Sequence, residues 1–208
     1  TVIWTGTQAE HAITGVGFSS DFTWIKARSD VLGNYLFDTV RGATHALASN
    51  SQDAQFSDAQ YLKSWESDGF TLGTNSAING TGDDVVGWNW KAGTTSGLSG
   101  GTITPSSYSI NATSGFGIYK YSGTGSAGTI THGLGAAPEC IIVKKTTAVD
   151  SFWVYHLYTH SDTSTSGEYY NVLNTTAVRA TNSGAWNNTN PTSTLIHLGS
   201  GGNVNSRK

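Results

Sequence analysis

Residues 14–26 read TGVGFSSDFTWIK, and residues 132–144 read HGLGAAPECIIVK. Each has Gly-x-Gly, a short polar step and an apolar run closed by lysine. At an offset of 118 positions Gly15 meets Gly133, Gly17 meets Gly135 and Lys26 meets Lys144. The same offset carries Tyr35-Leu36-Phe37 onto Trp153-Val154-Tyr155. An inserted loop around His160 to Gly167 then shifts the frame, as surface insertions do. Leu47-Ala48-Ser49-Asn50 meets Asn171-Val172-Leu173-Asn174 at 124, and Phe70-Thr71-Leu72-Gly73 meets Ile196-His197-Leu198-Gly199 at 126. Ile78-Asn79 falls on Val204-Asn205 at that last offset, and upstream Trp4-Thr5-Gly6-Thr7 falls on Tyr121-Ser122-Gly123-Thr124 at 117. A period of about 120 residues is too long for a solenoid unit, so the pattern reads as tandem domains or one pseudo-symmetric fold.

The repeat places copies at 1–93 and 115–208, with a Gly/Ser/Thr-rich connector at 94–114. Each copy reads as strands: Phe22 to Lys26, Cys140 to Lys144 and Phe152 to Tyr155 are short apolar runs rich in β-formers, with Gly, Ser, Asn and Asp at the junctions. Val85 to Trp90 and Gly117 to Tyr121 alternate, as half-buried strands should. Ser57 to Trp65 carries a capping residue and spaced Tyr61, Leu62 and Trp65, which predicts one short helical turn. The expected fold class is all-β: two related sandwiches of jelly-roll or lectin-like type. The first copy runs past Asn79 into GTGDDVVGWNWKAG, a strong terminal strand, whereas the second stops at Val204-Asn205-Ser206-Arg207-Lys208. A cut fragment, a tolerated gap at a sheet edge and a strand supplied by a neighbour all fit that asymmetry.

Composition narrows the chemistry. Only 12% of the 208 residues are charged and the net charge is −3. No basic stripe exists to displace counterions from nucleic acid. Seven Trp, nine Tyr and seven Phe argue against disorder. No apolar stretch approaches the ~20 residues of a helical membrane span. The chain begins at Thr1 and has no methionine, which reads as processing or as part of something longer. The single cysteine, Cys140, cannot form an intrachain disulfide, and its apolar run predicts a buried, inert thiol.

Catalytic and metal signals are weak. His156 and His160 are spaced i, i+4, which aligns two rings only on a helix, and YHLYTHSD reads as strand and loop. His132 reads as a turn residue bonding through a ring nitrogen. Asp83 and Asp84 with Asn79 offer oxygen ligands of the calcium type but explain equally well as a turn. GTGSAG (123–128) lacks the Lys-Ser/Thr close of a phosphate loop. The expectation is a protein without catalytic residues, cofactor or metal. Tryptophans are the better candidates, since aromatic faces stack on sugar rings. Trp24 and Trp153 read as core, and Trp88 and Trp90 share one sheet face. Trp65 and Trp186 lie near loops, and Asn187 and Asn188 beside Trp186 supply amide donors and acceptors, so these four are the possible ligand contacts.

The segments GFSSDFTWIKARS, YLFDTVRGAT and SDGFTLGTNSAINGTGDDVVGWNWKAG, with HGLGAAPECIIVKK in the second half, resemble a Trp-rich duplicated module of marine and cyanobacterial phage proteins. The likeness covers nearly the whole chain, through FDTVRG, SDGFTLG, WNWKAG and HGLGAAPE. It implies a lectin-like or laminin-G-like sandwich in a tail-fibre or other virion protein, on the particle surface. It brings no binding residues with it. Where the module continues into a further strand, Ser206-Arg207-Lys208 stands here. The resulting expectation is a non-enzymatic module for assembly and host-surface attachment. Its partners would be copies of itself (a homo-oligomer, trimeric in a fibre), other virion proteins and a host glycan, without nucleic acid or membrane insertion. A carbohydrate-binding module and a capsid decoration or filament subunit are the alternatives.

Overall fold

The computed structural model describes residues 1–207; Lys208, where the second copy ends, lies outside the described residues. The fold is mostly β, in antiparallel sheets, and divides into two compact units, Thr1–Gly93 and Thr94–Lys208.

The first unit contains β1 (Val2–Thr5), β2 (His11–Ile13), β3 (Phe22–Ala27), β4 (Asn34–Asp38), β5 (His45–Ala48), β6 (Phe56–Ser57), β7 (Leu62–Glu66), β8 (Gly69–Leu72), the single turn α1 (Ser76–Asn79) and β9 (Asp84–Trp90). One sheet has the order β1-β9-β3-β4-β5-β6, the other β2-β8-β7. Strand alternation sends Thr23, Ile25 and Ala27 of β3 inward. Val2, Ile25, Phe37, Ala46 and Val85 from the first sheet meet Ile13, Leu62, Phe70 and Leu72 from the second in one core.

The second unit contains β10 (Ser107–Asn111), β11 (Phe116–Lys120), β12 (Gly128–Thr131), β13 (Cys140–Val143), β14 (Trp153–His156), β15 (Tyr169–Val172), β16 (Ala180–Thr181), α2 (Ser183–Trp186), β17 (Leu195–Leu198) and α3 (Gly202–Asn205). Its sheets are β13-β14-β15-β16, β12-β17 and β10-β11. The expected connector at 94–114 is therefore part of this unit. Ser107-Tyr108-Ser109-Ile110 alternates as a strand, a signal masked by its small-residue surroundings.

Registers in the two units coincide. Trp24 faces Leu36 where, 118 positions on, Ile142 faces Val154. Tyr35 faces Ala48 where Trp153 faces Val172, and His45 faces Ser57 where Tyr169 faces Thr181. Two sequence expectations are corrected. Residues 57–65 form no helix: Phe56–Ser57 ends β6, the Asp58 carboxylate caps a turn at the Gln60 N–H (2.8 Å), and β7 begins at Leu62. A register shift between Leu62 and Ser64 mimics helical spacing. Cys140 is exposed rather than buried. Strand alternation turns Ile141 and Val143 toward the core and leaves Cys140 and Ile142 outside.

A buried asparagine closes each unit. The Asn79 Nδ2 donates to the carbonyls of Ala9 (2.7 Å) and Gly73 (2.8 Å), and its Oδ1 accepts from the Thr7 N–H (3.0 Å). The Asn205 Nδ2 donates to Ser126 (2.6 Å) and Gly199 (3.0 Å), and its Oδ1 accepts from the Thr124 N–H (2.8 Å). Both side chains are at most 1% exposed. The loops pass so close that a Cβ on Gly6 or Gly123 would lie 2.1 or 2.2 Å from the carbonyl oxygen of Gly80 or Ser206, which only glycine avoids.

The Gly-x-Gly turns are tied differently. Gly15 and Gly17, both at positive φ, donate to the Asp68 carboxylate (3.0 and 2.6 Å), and these bonds hold its pKa below the usual value. In the second unit the Leu134 N–H donates to the His132 Nδ1 (3.1 Å), so the proton sits on Nε2, which donates to the Thr192 carbonyl (3.1 Å). Burial keeps the His132 pKa below its ordinary 6.5, and burial does the same to His197.

Two outcomes are expected. Asn79→Ala and Asn205→Ala each leave a buried N–H and two carbonyls without partners. Each should cost about 3 kcal/mol in urea unfolding, and Asn→Asp should not rescue, because a carboxylate cannot donate to carbonyls. The unfolded chain takes up protons near pH 6.5 while the folded rings of His132 and His197 resist them. Stability should therefore be level above that pH and fall as pH drops from 6.5 toward the lower folded values. His132→Gln should shrink the loss between pH 7 and pH 5, measured by thermal melts.

Candidate functional site

Trp65, Trp186, Asn187 and Asn188 differ widely in exposure. Trp186 is 1% exposed, its ring edge-on to Tyr155 (6.1 Å, 77°) within the second core. It stands 124 positions after Leu62, which is also fully buried, and the backbone bonds match: Gly73 N–H to Tyr61 O and Gly199 N–H to Ala185 O, both 2.7 Å. The expected ligand platform at Trp186 is thus core filler. Trp65 is half-buried and edge-on to Phe70 (6.4 Å, 73°). Asn187 and Asn188 are exposed but hold φ of 55° and 51°, and the Asn187 N–H closes α2 on the Ser183 carbonyl (3.0 Å). They are there because asparagine tolerates the left-handed region.

Other candidates resolve into structure. His156 accepts from the Tyr158 N–H (3.1 Å) to start a 3₁₀ turn, whereas His160 stacks on Tyr169 (4.7 Å, 7°). Among the described residues no group of three or more His, Cys, Asp and Glu is gathered as for a metal. Asn79 cannot join Asp83 and Asp84 as an oxygen ligand, because its carboxamide is committed to backbone. In FDTVRG the Arg41 Nε donates to Asp38 (2.5 Å) and its Nη2 to the Leu36 carbonyl (2.9 Å), with both side chains at most 7% exposed. This ion pair closes the β4–β5 turn and has no open side.

What remains is a face. Phe22 and Trp24 of β3 point away from the core and lie directly opposite Trp90 and Trp88 of β9. The Phe22 and Trp90 rings meet edge-on at 5.3 Å and 67°. Trp24 and Trp90 are half-buried, Trp88 is 40% exposed, and Ile3 on neighbouring β1 is 70% exposed on the same side. Inward, β9 instead offers Asn89, whose Oδ1 accepts from the hydroxyls of Ser20 (3.1 Å) and Thr23 (2.8 Å). That anchor fixes the phase of the strand, so Trp88 and Trp90 must face out. Period-two alternation in VVGWNW marks the two tryptophans as one face; their opposition to Phe22 and Trp24 needs the β3–β9 register, which is a long-range fact.

A family model described as a domain of unknown function (DUF7483) matches residues 1–208. The chain belongs to that family. No curated protein and no solved structure matches it. Four ring systems in two opposed pairs can stack on flat apolar faces and exclude water. Trp88→Ala should cost under about 1 kcal/mol in urea unfolding, whereas Trp186→Ala should cost about 4 kcal/mol, as buried aromatics do.

Proposed function

We propose that this protein works by contact rather than covalent chemistry, as a structural module of a virion surface appendage such as a phage tail fibre. In this reading the two units are copies of one sandwich, and the outward face of the first is the attachment surface. The observation that carries it is the aromatic row Trp24, Trp88, Phe22 and Trp90, paired across two neighbouring strands on the outward side of a sheet. A sheet face suits a broad surface partner, and rings held by cross-strand pairing lose little conformational freedom on contact. The sequence likeness to phage virion modules points the same way, and its motifs FDTVRG, SDGFTLG and HGLGAAPE find structural roles as an ion pair, a turn clamp and a buried histidine. The low charge lets like subunits pack without strong repulsion, so assembly as a homo-oligomer belongs to the proposal.

A second reading, a carbohydrate-binding module proper, is favoured by the exposed Trp88 indole opposite Trp24, since flat rings stack on the C–H faces of sugars. Antibody to the chain should label appendages on intact particles if it is an appendage module, and labelling absent from particles ends that reading. A glycan array followed by titration of tryptophan fluorescence tests the face. Saturable quenching lost in Trp88→Ala and kept in Trp65→Ala is expected, and quenching unaffected by Trp88→Ala removes the aromatic row from the account.

A further inference from the structure

We propose that Asn79 is a modification site exposed only when the first unit unfolds. There its carboxamide loses ammonia through a cyclic imide with the Gly80 nitrogen, and the product bars that unit from refolding. The inference goes beyond the contact role proposed above and does not depend on it. Asn79-Gly80 is the one Asn-Gly pair in the 208 residues. Packing dictates both halves of it. Position 79 needs a neutral carboxamide, which donates to the carbonyls of Ala9 and Gly73 and accepts from the Thr7 N–H. Position 80 needs glycine, because a Cβ there would lie 2.3 Å from the Asp83 Oδ2 and 2.8 Å from the Ser76 carbonyl oxygen. Gly80 has φ −63° and ψ 142°, so crowding and not backbone conformation excludes a side chain. The second unit reaches the same place with Asn205-Ser206, where Ser206 has φ −67° and ψ 137°. A Cβ therefore stands beside that amide nitrogen and not beside the Gly80 nitrogen.

The reaction needs only water. A base takes the Gly80 amide proton, and the nitrogen attacks the side-chain carbonyl carbon of Asn79. One C–N bond forms, the bond to Nδ2 breaks, and ammonia leaves with a proton returned to it. Water then opens the imide at either carbonyl, giving aspartate or, with the backbone rerouted through Cβ, isoaspartate. The folded unit blocks the first step. Asn79 is 0% exposed, and its carboxamide is turned to partners 70, 72 and 6 residues away in sequence instead of onto its own backbone. In the unfolded chain no side chain shields the Gly80 nitrogen, and glycine gives its backbone the widest freedom. Conversion in the native protein therefore follows the small open population. The product cannot return to the clasp. A carboxylate cannot donate to two carbonyls. Isoaspartate also adds an atom to the backbone where a Cβ on Gly6 would already lie 2.1 Å from the Gly80 carbonyl oxygen. Unfolding of the first unit thus becomes chemically irreversible, faster than in the second.

The intact protein is held at mildly alkaline pH, folded in buffer and unfolded in guanidinium chloride, while peptide mass mapping follows Asn79 and Asn205. The mass gain of amide turning to acid separates this reaction from isomerisation at Asp68-Gly69, which changes no mass. Conversion of Asn79 should be at least ~100-fold slower in the folded protein. In denaturant it should outpace Asn205 about 10-fold, and Gly80→Ser, read in denaturant where its folding does not matter, should remove that lead. After dilution into buffer, chains whose Thr7 amide regains protection from hydrogen exchange should all retain Asn79. Three results would each overturn the proposal: folded protein converting Asn79 as fast as the unfolded chain, equal rates at Asn79 and Asn205 in denaturant, or converted chains that refold with a protected Thr7 amide.

Discussion

Each unit is closed by a neutral carboxamide that no other side chain can replace. Asn79 and Asn205 each reach two carbonyls and one N–H on loops distant in sequence, from the end of a one-turn helix that has too few residues to stand alone. Two donors and one acceptor at fixed angles, uncharged and fully buried, describe an amide and exclude a carboxylate, a hydroxyl or an aliphatic group. Around this point the loops crowd until only Gly6 and Gly123 fit. A chain with few charges and many glycines holds long loops in place this way: their backbone groups bond to a side chain where no strand is available.

The mostly-β architecture was legible in the sequence, because short apolar runs rich in β-formers alternate with Gly, Ser, Asn and Asp junctions. Strand character in Phe22–Ala27 and Asp84–Trp90 was legible from period-two alternation. The errors have one physical origin: local composition does not report which side of an element faces the core. Cys140 sits in an apolar run, but alternation on an edge strand leaves it outside. Tyr61, Leu62 and Trp65 have helical spacing only because a register shift stretches β7. Trp186 keeps Asn-rich company because α2 ends in left-handed residues, and the ring itself fills the place that Leu62 fills in the first unit. The aromatic face was half visible, as Trp88 and Trp90 on one side; its other half, Phe22 and Trp24, becomes part of it only through pairing across more than sixty residues of chain.

The two units share strand registers and differ in what surrounds them. The first completes its large sheet with β9, and the same strand that seals the core sets two tryptophans outward. The second keeps the four-strand register of β3 to β6 in β13 to β16. Histidine and aspartate are spent on turns: Asp68 on the first Gly-x-Gly, His132 on the second.

The account stands most directly on the matched bonds of Thr7 and Thr124, whose N–H groups donate to a side chain and not to a sheet partner. Residue-resolved amide hydrogen exchange on the intact protein reads both at once. Both amides should be strongly protected, on the scale of neighbouring core strands and unlike the exposed loops around them. Exchange of either at the rate of an open loop would mean that its carboxamide does not hold that unit together, and the shared design would fall with it.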